Sequence, residues 1–179
     1  MIAEVTLIED LKNPKKKERA FSVLLDTYQK RLYWHIRKIV LLHEDADDVL
    51  QNTFIKIYKG LPFFKGKSNI HTWMYRIAYN EAISFLRKKQ KQLQLNSEEM
   101  NTRILSDLKA DIYFNGDEIE WQLQQALLQL PEKQRTVFQM KYYDDLKFRE
   151  ISEILDTTEG ALKASYHHAT KKIQSYLAE

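Results

Sequence analysis

Apolar residues recur along this chain at intervals of three and four, the spacing that lines one face of a helix. Phe21, Leu24, Tyr28, Leu32, Ile36 and Ile39 predict an amphipathic helix over 19–41. A second helix is expected from the acidic cluster Glu44, Asp45, Asp47 and Asp48 to about Tyr58, with Ala46, Val49, Leu50, Phe54 and Ile57 as its stripe. Acids in a first turn meet the positive end of the helix dipole favourably. Gly60, Pro62 and Gly66 interrupt the pattern, so 60–71 reads as a loop. A third helix over 72–90 buries Met74, Ile77, Ala78, Ala82 and Phe85.

Periodicity fades over 91–117, which is rich in Gln, Asn, Ser and acids and ends at Asn115-Gly116. That composition predicts a flexible linker with at most a transient helical turn. The pattern resumes at Asp117, which with Glu120 resembles a capping box. Ile119, Leu123, Ala126, Leu127 and Leu130 share one face, and Pro131 opens a further helix carrying Val137, Phe138 and Tyr142. A short helix over 147–155, a tight turn at Asp156-Thr157-Thr158 and a last helix over 159–176 complete the chain. The expected fold is therefore all-α, with helical domains at 1–90 and 118–179 joined by the linker 91–117. No internal repeat links the two halves.

Composition sharpens this picture. Only 4 glycines and 3 prolines occur in 179 residues, which disfavours a turn-rich β fold. The absence of cysteine removes disulfides, thiolate metal sites and thiol nucleophiles, and suits a reducing cytoplasm. The acids Glu4, Glu9 and Asp10 argue against a signal peptide, and no apolar run is long enough to insert in a membrane. Residues 1–90 carry 17 Lys and Arg against 10 Asp and Glu, a net of +7, whereas 91–117 and 118–179 are each −2. The first half is the candidate for a polyanionic partner.

Three groups of residues carry candidate chemistry. Short helix, turn and longer helix from Phe148 to Ile173 make a helix-turn-helix, whose second helix enters the DNA major groove. Its outer face holds Gly160, Lys163, Ala164, His167 and Lys171, and no acid occurs from Ala161 to Ala178. The same pattern also suits an ordinary helical hairpin with a polar surface. Residues 63–89 interleave Phe63, Phe64, Trp73, Tyr75 and Tyr79 with Lys65, Lys67, Arg76, Arg87, Lys88 and Lys89, and single-stranded nucleic acid is held by aromatic stacking and cationic phosphate contacts of this kind. Trp73, Arg76, Asn80 and Arg87 fall off the buried stripe. Any one of those aromatics, taken alone, is better read as core. Asp47, Asp48, Gln51 and Asn52 form a third group, read either as a solvated face or as a protein-docking surface.

Enzyme signatures are missing: no glycine-rich phosphate loop, nucleophile elbow or His-Glu-x-x-His occurs. His167 and His168 are adjacent and so point to different sides of a helix. No metal, no cofactor and no catalytic residue is expected.

Residues 44–91 resemble the second domain of extracytoplasmic-function (ECF) sigma factors, and 127–173 resemble their fourth domain, in the family's order. The resemblance implies that the acidic helix docks on the clamp helices of core RNA polymerase through Asp47, Asp48, Gln51 and Phe54. It implies that Lys65, Lys67, Ser68 and Asn69 of the loop, with Trp73, Arg76, Asn80 and Arg87 of the next helix, bind and open the minus-ten promoter element, taking up the non-template single strand. It implies duplex reading of the minus-thirty-five element by Gly160, Lys163, Ala164, His167 and Lys171, a linker threading the polymerase cleft, an anti-sigma partner and a cytoplasmic location. Ser84, Ser165, His168 and Thr170 depart from the family's commoner acidic or basic residues. No further domain is expected after Glu179. Two other readings stand beside this one: a helix-turn-helix regulator with an N-terminal dimerisation domain, and a helical enzyme or scaffold. The basic aromatic stretch argues against the first, and the lack of a convergent acid-base or metal set against the second.

Overall fold

A computed structural model of the chain describes residues 4–111, 114 and 116–178. Among these residues there are nine α-helices, one 3-10 turn and no strand. The first helix, α1 (Glu4–Lys12), lies in a segment with no helical assignment from the sequence. It buries Leu7 and Leu11, one turn apart, in the core shared with α2. α2 (Lys17–Val40) seals Leu24, Leu32, Ile36 and Val40 completely. It ends at Leu41, held in the left-handed region at φ 68° with its N–H donating to the Arg37 carbonyl. A non-glycine residue there costs roughly 1–2 kcal/mol, which burial of the Leu41 side chain offsets.

α3 (His43–Gly60) turns inward Ala46, Val49, Leu50, Thr53, Phe54 and Ile57. After the 3-10 turn Leu61–Phe63, an exposed loop leads to α4 (Ile70–Leu93), which buries Ile70, Met74, Ala78 and Ala82. α2, α3 and α4 pack mutually around this core. Helix boundaries fall within a few residues of those expected, and α4 extends three residues beyond 90 into the segment read as linker.

That segment also contains a full helix, α5 (Ser97–Ala110). It starts from a capping box: the Asn96 side chain accepts from Glu99 N at 2.9 Å, and Glu99 accepts from Asn96 N at 2.8 Å. Met100, Ile104 and Leu108 are buried, and the first two pack with Leu41 and Leu128. Three apolar residues at strict four-residue spacing form too narrow a stripe to stand out against the polar composition. The helix therefore gains its place from neighbours far away in sequence.

The remaining helices are α6 (Glu118–Gln129), α7 (Glu132–Tyr142), α8 (Phe148–Leu155) and α9 (Glu159–Leu177). Asp117 caps α6 by accepting from Glu120 N at 2.9 Å, but the Glu120 carboxylate turns to Gln124 at 2.7 Å. Ala126, Leu127, Leu130, Phe138, Ala169 and Ile173 form a local core between α6, α7 and α9. A second apolar face does not stay local. Val137, Met140, Leu146, Ile151, Ile154 and Leu162 join the core of α2, α3 and α4. The helix-turn-helix unit is thus packed against the N-terminal helices, with α8 lying along α4.

Candidate nucleic-acid interface

Trp73, Arg76 and Asn80 occupy successive turns of one side of α4. Arg76 and Asn80 are exposed, while Trp73 is half-buried. The indole rests on Phe64, with ring centroids 5.0 Å apart, and on Gly60, where a Cβ would stand 3.0 Å from it. Gly60 is what lets the indole lie this close to the end of α3. Phe64 is core, but Phe63 is 79% exposed, so the adjacent phenylalanines have opposite roles. Lys65, Lys67 and Asn69 are exposed and Ser68 is half-buried, on a loop that reverses at Gly66, whose φ is 69°.

This surface faces the helix-turn-helix unit across two clefts. Lys67, Ser68 and Asn69 line one of about 390 Å³ with Lys147, Arg149, Glu150 and Glu153. Arg76, Tyr79 and Asn80 line the other, of about 620 Å³, against Glu132, Thr136 and Ile154. The Arg76 guanidinium donates to the Glu153 carbonyl of α8. Arg87 is exposed and lies 3.3 Å from Glu132. Burial raises the Tyr79 hydroxyl pKa above its ordinary value, against opposing effects of Thr136 and nearby arginines. Burial likewise lowers Arg135, with Glu132 and Tyr79 opposing. Tyr79, Arg76 and Arg87 belong to the stretch singled out in the sequence, whereas Glu132, Arg135 and Thr136, which meet them here, carry no local signal.

On α3, Asp47, Asp48 and Gln51 are exposed. Asp47 lies 3.4 Å from His43 Nε2, and Asp45 turns away to Lys89 at 2.6 Å. The acidic cluster is therefore divided between Asp45, half-buried on Lys89, and the exposed acids Asp47 and Asp48. Asp47, Gln51 and Phe54 line an apolar groove of about 520 Å³ between α2 and α3, with Phe21, Leu50 and Tyr58. Asp48 is outside that lining. Ile55 is 46% exposed on the same helix, and neither it nor Tyr58 was singled out from sequence.

The last helix places Gly160, Lys163, Ala164, His167 and Lys171 on its exposed side, with Leu162, Ala169 and Ile173 buried. Asp156, in the left-handed region at φ 50°, makes the turn, and Thr158 caps α9 by accepting from Ala161 N. Tyr166 packs between Phe138 and Phe148, at 5.8 Å and 6.0 Å, fixing α9 on α7 and α8. The exposed groups offer two cations around a small, flat centre, a shape suited to a groove flanked by phosphates.

Comparison with known proteins relates the chain to one family. Residues 24–92 match Sigma-70 region 2, and residues 120–173 match Sigma-70 region 4. The chain is 31% identical to the ECF RNA polymerase sigma factor SigW of Bacillus subtilis, over 98% of this chain and 99% of that protein. It is 28% identical to the ECF RNA polymerase sigma-E factor of Haemophilus influenzae, over 97% and 95% of the two chains. Among solved structures it resembles CnrH in complex with the cytosolic domain of CnrY, with a TM-score of 0.71, 19% identity and coverage of 98% and 96%. It also resembles the sigma factor RpoE bound to the anti-sigma factor NepR from Bartonella quintana, with a TM-score of 0.68, 19% identity and coverage of 88% and 96%.

Proposed function

Because the chain belongs to the ECF group of the sigma-70 family and is a sigma factor that directs RNA polymerase to promoters, we propose that its three exposed faces divide that task. Residues 1–90 dock on core polymerase and engage the minus-ten element, 91–117 connect, and 118–179 engage the minus-thirty-five element. The observation that carries this reading is the coexistence of the α3 groove, the loop-α4 surface and the α9 face in one chain. A duplex-binding regulator needs only the last of these.

Each face suits its partner by elementary chemistry. Phe63 offers an exposed ring for base stacking, and Lys65 and Lys67 hold phosphates beside it. Ser68, Asn69, Asn80 and the Trp73 edge supply donors, acceptors and a wall for an unstacked base, with Arg76 and Arg87 along the strand. On α9, Lys163 and Lys171 fix the helix on the backbone while Ala164 and His167, beyond Gly160, meet base edges. On α3, Asp47 and Gln51 rim an apolar groove floored by Phe54, with Asp48 exposed on the same helix, so a partner should bring basic residues around an apolar ridge. Binding energy alone drives strand opening, with no covalent chemistry, cofactor or metal. Among the described residues no helix is long and apolar enough to cross a membrane, and a cytoplasmic location suits a polymerase partner. Both structural neighbours are bound to a partner protein, in one case a named anti-sigma factor, which supports an anti-sigma partner here.

The test is in vitro transcription with core polymerase, with and without this protein, followed by start-site mapping. Initiation at defined sites only when both are present is expected. Initiation independent of the protein, or scattered equally with and without it, refutes the reading.

A further inference from the structure

We propose that the basic turn joining α1 to α2, with Lys12, Lys15 and Arg19 as its free cations, is a further DNA-contacting site that grips the phosphates of the non-template strand beyond the exposed Phe63. This inference rests on the function proposed above and deepens it, extending the minus-ten side of the surface to residues outside the loop and α4.

Three observations carry it. The first is charge without a structural use. Residues 12–19 hold Lys12, Lys15, Lys16, Lys17 and Arg19 against one acid, Glu18. Lys16 pairs with Asp10 at 2.9 Å, and the half-buried Lys17 lies over the Tyr58 ring at 3.8 Å. Lys12, Lys15 and Arg19 are exposed and form no ion pair among the described residues. Glu9 and Glu18, the exposed acids of this corner, reach no cation among those residues either. Folding does not ask for these cations, because Lys17 and Arg19 lie in the first turn of α2, where the helix dipole favours acids.

The second observation is placement. The turn has a fixed backbone: the Lys16 and Lys17 N–H groups donate to the Asn13 carbonyl at 3.0 Å and 2.8 Å, and the Lys15 N–H donates to the Asn13 side chain at 3.0 Å. α1 packs against the 3-10 turn Leu61–Phe63, and its Leu7 and Leu11 share one core with Leu61 and Phe64. Phe21, one turn past Lys17, meets Tyr58 with ring centroids 4.9 Å apart. The start of α2 and the end of α3 therefore lie side by side, with the exposed Lys59 following Tyr58. The basic turn adjoins the Phe63 end of the loop and continues its surface.

The third is the character of the surface. No large apolar side chain is exposed within 12–19. A protein partner would want an apolar centre inside a polar rim, whereas a nucleic-acid backbone needs only spaced cations. A strand stacked on Phe63 carries further phosphates past the ring, and cations on a fixed turn beside it are placed to neutralise them. Such contacts read no bases. The turn therefore adds affinity and salt dependence to whatever sequence the loop and α4 select.

The test uses the assembled holoenzyme and a fluorescent non-template strand spanning the minus-ten element, either untailed or carrying an oligothymidine tail at one end or the other. Lys15→Gln with Arg19→Gln removes two free cations. Lys30→Gln with Lys109→Gln makes the same charge change at exposed positions elsewhere on α2 and on α5. The parent should bind one of the tailed strands more tightly than the untailed one. The Lys15/Arg19 variant should lose that gain, and its salt slope on the tailed strand should fall by about 1.4, two single-strand phosphate contacts at about 0.7 each. The Lys30/Lys109 variant should keep both gain and slope. Circular dichroism and a core polymerase titration accompany each variant. A parent that gains nothing from either tail, or a Lys15/Arg19 variant with the parent's affinity and slope, overturns the site. So does an equal loss on tailed and untailed strands, which is a general effect of charge. Weakened core binding with an unchanged salt slope also overturns it and gives the turn to an acidic protein surface. Core-dependent transcription by the parent separates the two claims. If it succeeds while the Lys15/Arg19 variant captures strands as the parent does, only the basic turn falls. If it fails, the functional reading falls instead.

Discussion

Asn80→Ala separates base capture from folding. Asn80 is exposed in the middle of α4, and its side chain forms no hydrogen bond within the protein among the described residues. Removing its amide therefore takes nothing from the core. Surface changes of this type alter stability by about 0.5 kcal/mol or less, and alanine is the better helix former by several tenths of a kcal/mol. The melting temperature should stay level or rise slightly. If Asn80 meets an unstacked base, losing that contact costs about 1–3 kcal/mol, or roughly 5- to 150-fold in affinity. The assay is competition for a fluorescent non-template strand by the assembled holoenzyme. Duplex binding of the other promoter element is measured in parallel. Trp73→Ala is the contrast: it removes the partner of Phe64 and leaves a void over Gly60, so strand capture and melting temperature should fall together. Unchanged strand capture by Asn80→Ala removes this residue from the strand's path. Equal losses on both promoter elements would mean that the substitution acts through folding.

Three further outcomes are expected. Lys171→Gln should weaken duplex binding almost uniformly across sequences and reduce the salt slope by about 0.9, the contribution of one phosphate contact; an unchanged slope takes Lys171 off the phosphate. Asp48→Lys combined with Gln51→Ala, both at exposed positions, should preserve the circular dichroism spectrum while core polymerase binding falls, and high salt should narrow the difference; undiminished binding would demote this rim to solvation. Leu108→Ala, at a side chain 1% exposed, should cost about 2–5 kcal/mol of packing and loosen α5, seen as faster tryptic cleavage after Arg103 and Lys109; unaltered cleavage would mean that α5 is held by its ends alone.

Much of the architecture was legible in the chain itself, because a helix that buries one face must write a period of three to four into its residues. The stripes of α2, α3, α4 and the helix-turn-helix were readable for that reason, as were the acid-free face of α9 and the loop at Gly60 and Gly66. The cap at Asp117 and the turn at Asp156-Thr157-Thr158 were local signals of the same kind. Such features depend on residues within about one turn, so a linear reading reaches them.

Other features depend on distant partners and have no local signature. α1 is short, and its Leu7 and Leu11 become core only because α2 is there to receive them. α5 lies in a segment read as flexible, and its buried Met100 and Ile104 gain meaning from Leu41 and Leu128. Phe63 and Phe64 are adjacent and chemically identical, yet one is exposed and the other is core, a choice made by the path of the 3-10 turn. The apolar groove beside the acidic rim needs α2 and α3 side by side, since Phe21 and Tyr58 belong to different helices. Asp144 and His35 show the limit most clearly. Each reads as an ordinary polar residue in its own helix or turn, and only the packing of α7 and α8 on α2 brings them to 2.6 Å in a buried pair. Residue identity supplied the charges and the periodic faces. Tertiary structure decided which charges lose their water together, because desolvation belongs to the assembled surface and not to any segment of it.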